Sequence, residues 1–237
     1  MNLTWAGIGI IAGLLAGGAL RGTVFRLSVA SGEPERTACS RCAAPVGSWP
    51  ALVCGHCGGS LGTPLVLELA TAGVLAMVLG RFAGQPDVLA FGFVGAVGVA
   101  LASIDIAVQR LPDALTLPSY PILIALLALS AVDGHDGAAV ARALLGGLAL
   151  AAGYLVLALL RPGQLGGGDI KFAGIAGLAL GWLGWPTLIT GAALGFVLCA
   201  VVSLTLLAIR RITLHSAICF GPFLFGGAML ALLISRQ

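Results

Sequence analysis

Few residues in this chain could do chemistry, so each can be weighed singly. Of its nine acidic residues, three stand out. Asp105 ends the apolar run "FGFVGAVGVALASID", Asp113 sits in "QRLPDALTLP", and Asp169 follows Gly166, Gly167 and Gly168 in "RPGQLGGGDIKFAG" (161–174). Two carboxylates brought close at a membrane boundary cannot both ionise cheaply. One then stays protonated beside an ionised base that activates water. This is aspartic-peptidase chemistry and needs neither a Ser or Cys nucleophile nor a metal. No G-x-S-x-G, H-E-x-x-H or Ser/Lys pairing competes with it. The competing reading is helix capping, since Asp is a favoured N-cap residue and Asp113 follows a proline before an apolar run. Spacing alone leaves open whether Asp105 or Asp113 would partner Asp169.

The neighbours of Asp169 fit such a site. Glycines at 166–168 permit positive φ and the close approach of an extended substrate backbone. Lys171, the only lysine, either stabilises the charged form of a nearby acid or acts as a positive anchor at the membrane edge. Glu68, near the start of an apolar run, is a functional candidate as an intramembrane acid, with reaching the headgroups as the plainer reading. Glu33 and Glu35 read as solvated, and Asp87, Asp133 and Asp136 as members of short external loops, with "DGHDG" (133–137) a turn.

Four of the six cysteines form a C-x2-C-x11-C-x2-C pattern: Cys39, Cys42, Cys54 and Cys57. Two such knuckles bring four thiolates into tetrahedral geometry, and bound zinc supplies folding energy that a short loop lacks. Disulfides or redox work are the competing reading, weak for a loop on the reducing side of a membrane. Four sulfur ligands leave no open position, so the role is structural. His56, inside the second knuckle, reads as a bystander.

The elements that must position these residues are apolar helices. The chain is 59% hydrophobic and 9% charged over 237 residues, whereas soluble domains carry roughly 25% charged residues. The expected class is an all-α polytopic membrane protein in the lipid bilayer with a small cytoplasmic zinc-binding loop. A net charge of +3, scattered along the chain, excludes nucleic acid as a partner. Apolar runs at 3–20, 64–80, 88–104, 114–132, 138–160, 172–184, 186–209 and 217–234 predict about eight spans, or seven with a re-entrant sixth. The expected organisation is a first span (1–20), a cysteine loop (21–63) and a membrane core (64–237). The N-terminus lacks the basic region of a signal peptide, so the first span reads as retained. With the 21–63 loop inside, nine basic residues (Arg21, Arg26, Arg36, Arg41, Arg110, Arg161, Lys171, Arg210 and Arg211) face the cytoplasm and three (Arg81, Arg142 and Arg236) face out. Both termini are then outside, and Asp105, Asp113 and Asp169 lie at the cytoplasmic ends of spans.

"GGGDIK" together with "SIDIAVQRLPDALTLP" resembles the type IV prepilin peptidases, membrane aspartic peptidases marked by a G-x-G-D motif. "GALRGTVFRL" after the first span, the paired CxxC loop, "PLVLEL" and "CFGPFLFGGAML" extend the resemblance over most of the chain. It implies Asp105 and Asp169 as the catalytic pair, with Asp113 matching the acid of the first motif that is not catalytic. It also implies a bacterial inner-membrane location and prepilins or pseudopilins as substrates, cut after a glycine at the cytoplasmic face. Many members N-methylate the new terminus with S-adenosylmethionine. Here Arg21 replaces the usual Asn, and "GSWPALV" is a shortened form of the stretch between the knuckles, which leaves methylation open. Two other classes compete. A transporter or channel would use the acids for ions but leaves the cysteine loop unexplained. A non-catalytic scaffold of pilus or secretion machinery would use zinc to order a docking loop.

Overall fold

The computed structural model describes residues 2–46, 52–134, 137–160, 165–211, 213 and 218–235. The expectations for Asp136, Arg161, Arg236 and the 47–51 part of the cysteine loop lie outside these residues, as does the side chain of Asp133. The fold is all-α. Its helices are α1 (Leu3–Leu27), α2 (Val66–Arg81), α3 (Val88–Val108), α4 (Asp113–Gly134), α5 (Gly137–Leu160), α6 (Gly167–Leu183), α7 (Trp185–Ala208) and α8 (Gly221–Ile234). Five of them, α1, α3, α4, α5 and α7, are long and apolar enough to cross a membrane. Large apolar side chains point outward along them: on α7, Ile189, Val197 and Leu204 are all more than half exposed. Outward apolar faces of this extent suit a hydrocarbon solvent and not water.

The helices form two compact units, Met1–Pro112 and Asp113–Gln237. In the first, α1 and α2 pack along a seam of small residues. Gly9, Gly13 and Gly17 recur every four positions and so share one face of α1. A Cβ on Gly9 would lie 2.5 Å from the Leu75 carbonyl oxygen, and one on Gly17 would lie 2.6 Å from the Glu68 Cα. In lipid, where apolar side chains gain nothing by leaving the solvent, such close backbone approach drives helix pairing.

Helix α1 runs to Leu27, seven residues beyond the expected end of its span. The reason is a partner: Arg21, one turn past Gly17, meets Glu68 on α2. The helix then stops where Ser28 turns back, its N–H and its Oγ both donating to the Val24 carbonyl, at 3.0 and 2.7 Å.

In the second unit, α6 is the central helix. Phe172–Trp182 are buried on every side, as expected of a helix surrounded by others. Seventeen residues give about 25 Å at 1.5 Å rise per residue, short of a full hydrocarbon span of about 30 Å. Against it lies α5, with Gly146 facing Gly177 and Gly181, and Gly147 facing Gly174. Helix α7 begins directly after α6, and Gly184, at φ +135°, makes the corner between them.

Candidate functional site

The cysteine loop folds as two copies of one small turn. In the first, the Cys39 N–H donates to the Ala44 carbonyl (2.9 Å) and the Ala43 N–H to the Cys39 carbonyl (3.0 Å). In the second, Cys54 and Gly59, then Gly58 and Cys54, repeat this at 2.8 and 2.9 Å. Each knuckle is closed by one antiparallel bridge, Ala38 with Pro45 and Val53 with Ser60. The residue after the second cysteine of each turn is left-handed, Ala43 at φ +56° and Gly58 at φ +67°. Facing each other, the turns bring all four sulfurs within 4.8 Å of one another, with Cys39 and Cys57 at 3.9 Å and Cys42 and Cys54 at 3.6 Å. Four sulfurs about 2.3 Å from a tetrahedral zinc lie about 3.8 Å apart, so the donor set fits the metal. All four thiols are free of disulfides.

The thiols also divide charge unevenly. Backbone N–H groups of Cys57 and His56 hold the Cys54 thiol down at about 6. The Ala44 N–H pulls Cys42 down, but burial and the sulfurs of Cys57, Cys54 and Cys39 together push it up to about 12. Four clustered thiols cannot all ionise alone, and a divalent cation relieves that. His56 contributes its backbone, as a bystander imidazole would allow. The loop packs Cys39 and Cys54 against Phe25 of α1 and Leu61, the small apolar cluster on which it rests.

Asp169 is the third residue of α6 and is buried. Its Oδ2 accepts the Gly166 N–H (3.1 Å), and its own N–H donates to the Gly166 carbonyl (3.0 Å), a reciprocal cap at the helix start. The expected positive φ in the glycine run is absent. Gly166 is extended at φ −76°, and Gly167 and Gly168 already belong to the helix. The helix starts early because the carboxylate caps it, so these glycines provide room instead. A Cβ on Gly167 would meet nothing within 4 Å.

Asp105 lies in the last turn of α3, in the first unit, and is likewise buried. Asp113 differs from both: it opens α4 with its side chain 58% exposed and accepts from Lys171 Nζ at 2.5 Å. Helices α4 and α6 are further joined by the Tyr120 hydroxyl, which donates to the Lys171 carbonyl at 2.6 Å. Burial therefore separates Asp105 and Asp169 from Asp113, a distinction that spacing had left open.

One expectation is corrected. Glu68 does not reach toward headgroups. It is 7% exposed and pairs with Arg21 at 2.8 Å, while Arg21 Nη2 also donates to the Leu52 carbonyl at 3.2 Å. Asp87 lies in the short loop before α3, as expected, and is buried there. The Arg21–Glu68 pair was missed because its members are 47 positions apart; an acid within an apolar run facing an arginine was the available signal.

A polytopic helical membrane protein with buried aspartates and a four-thiol centre is the class that fold and site define. The type IV leader peptidase family matches residues 92–209, which include Asp105, Asp113, Asp169 and Lys171. A prepilin leader peptidase/N-methyltransferase of Aeromonas salmonicida (strain A449) is 33% identical over 214 residues, covering 84% of this chain and 71% of that protein. One from Burkholderia pseudomallei (strain 1026b) is 32% identical over 213 residues, 81% of this chain, and the chain spans 65% of that relative's length. The protein of the same name from Escherichia coli (strain K12) is 37% identical over 136 residues, 56% of this chain and 58% of its own. No solved structure matches the chain significantly. The chain belongs to the type IV leader peptidase family.

The relatives' name includes methyl transfer. S-adenosylmethionine carries a sulfonium, an ammonium and a carboxylate, and its ribose diol and two cationic groups call for acceptors or anions. The first unit has a cavity of about 360 Å³ at the ends of α1 and α3, lined by Arg21 and Arg36 and by no carboxylate. The arginines could meet the carboxylate, but no lining residue offers an anion to the sulfonium or the ammonium, so the lining does not fit the whole group and no step is derived through it.

Proposed function

We propose that this protein is a leader peptidase of the bacterial inner membrane. It cuts the short basic leader from prepilins or pseudopilins by a two-aspartate mechanism. The observation that carries the reading is the burial of two carboxylates, Asp105 and Asp169, inside apolar helices of a leader peptidase family member. A carboxylate within an apolar membrane helix is a functional candidate by default.

In this reading the two acids divide the work. The N-terminal end of α6 places partial positive charge at Asp169, and the Gly166 N–H adds a donor. Asp105 sits near the negative end of α3. One carboxylate of the pair is the base that takes a proton from water as the water oxygen adds to the scissile carbonyl, a role that the donors around Asp169 favour for it. The other carboxylate is the acid that protonates the departing amine as the carbon–nitrogen bond breaks. The open space beside Gly167 admits the extended peptide. Zinc in the Cys39, Cys42, Cys54 and Cys57 site staples the 21–63 loop, and 64–237 forms the peptidase core. The nine-to-three bias of basic residues supports the cytoplasmic face as the site of cleavage.

The test is co-expression with candidate prepilins from the same genome, with mass spectrometry of the product's N-terminus. Asp105→Asn and Asp169→Asn are each expected to lower cleavage by at least about 100-fold, with the protein still in the membrane. Processing by either variant at the rate of the unaltered chain sinks the proposal. The same spectra report any methyl group on the new terminus.

A further inference from the structure

The cavity of the first unit, with two arginines and no carboxylate in its lining, is built for an anion. Arg21 and Arg36 line it, together with Phe25, Ser103, Val66 and Ile106. The Arg21 side chain is 11% exposed and its charge is matched by Glu68, yet its Nε is buried with no hydrogen-bond partner among the described residues. Arg36 lies over the Phe25 ring at 5.3 Å and makes no ion pair among the described residues. The lining thus carries one unmatched positive charge and one unmet buried donor. Its other wall is apolar and open to the outside. Val66 and Ile106 are 62% and 66% exposed on α2 and α3, where outward apolar residues face lipid.

We infer that this cavity binds the headgroup of a singly charged anionic phospholipid, with the acyl chains lying over Val66 and Ile106. A phosphodiester carries one negative charge, which balances the one unmatched guanidinium. Its oxygens accept from Arg21 Nε and Arg36, the charge-assisted pairing that arginine favours. About 360 Å³ accommodates a phosphodiester and its glycerol but not the chains, which remain in the bilayer. A zwitterionic headgroup brings a cation up against Arg36. Inorganic phosphate makes no use of the apolar wall. The site lies wholly in the first unit and does not depend on the peptidase reading.

The experiment is native mass spectrometry of the full chain in detergent micelles, titrated with phosphatidylglycerol, with phosphatidylcholine, or with phosphatidylglycerol plus inorganic phosphate. One phosphatidylglycerol is expected to stay bound, about tenfold tighter than phosphatidylcholine, and undisplaced by phosphate. Arg36→Gln removes the unmatched charge, and Ile106→Trp fills the apolar wall without touching a charge. Each is expected to bring phosphatidylglycerol down to the phosphatidylcholine level, with unchanged far-UV circular dichroism and thermal midpoint showing that the helices are folded. Equal retention of the two lipids, unchanged retention in both variants, or displacement by inorganic phosphate overturns the inference.

Discussion

Lys171 Nζ meets Asp113 Oδ1 at 2.5 Å, tying the first residue of α4 to the first turns of α6. Lys171 therefore serves Asp113 and so fastens the helix that carries Asp169. Both partners are well exposed, so the pair is expected to contribute at most about 1 kcal/mol. Asp113→Asn should lower the unfolding midpoint in detergent only slightly and leave prepilin cleavage within severalfold. A loss as complete as that of Asp169→Asn would show that Asp113 takes part in the reaction.

Metal removal should act on the loop and leave the helices standing. One zinc per chain, roughly, is expected by elemental analysis, and Cys42→Ser or Cys54→Ser should abolish it. The loop then loses its main source of folding energy. Limited proteolysis should cut within residues 28–65 while far-UV circular dichroism changes little. Full protease resistance in the serine variants would remove the structural role of the metal.

Ala43 occupies a left-handed position that its counterpart, Gly58, fills without strain. A Cβ there costs roughly 1–2 kcal/mol. Ala43→Gly should therefore make the knuckle hold zinc more tightly, read as slower loss to a chelator. Faster loss would show that the two turns are not equivalent.

The α1–α2 seam admits no side chain at Gly13, where a Cβ would overlap the backbone of Thr71 and Ala72. Gly13→Leu should destabilise by about 1–3 kcal/mol or more, as overpacking does. Gly7→Ala, with nothing within 4 Å, is the matched control and should be neutral or stabilising. Equal thermal midpoints for Gly13→Leu and the unaltered chain would contradict the packing described.

What the sequence determined by itself was local. Apolar runs of spanning length announce helices, because in hydrocarbon the backbone must satisfy its own hydrogen bonds. Two CxxC pairs announce a four-sulfur cluster, because each short turn aims its two thiols the same way. The eight helices among the described residues and the thiol cluster follow that pattern, apart from ends displaced by tertiary partners, such as α1 running on to meet Glu68. Only the tertiary structure decided what surrounds each charge. Asp105 and Asp113 look alike in sequence, yet one is buried and the other exposed and paired with Lys171, 58 positions away. The same holds for Arg21 with Glu68, and for the glycines before Asp169, of which Gly166 is extended and Gly167 and Gly168 are helical, none left-handed. A side chain's dielectric and its partners come from segments remote in the chain, and no local pattern carries that information.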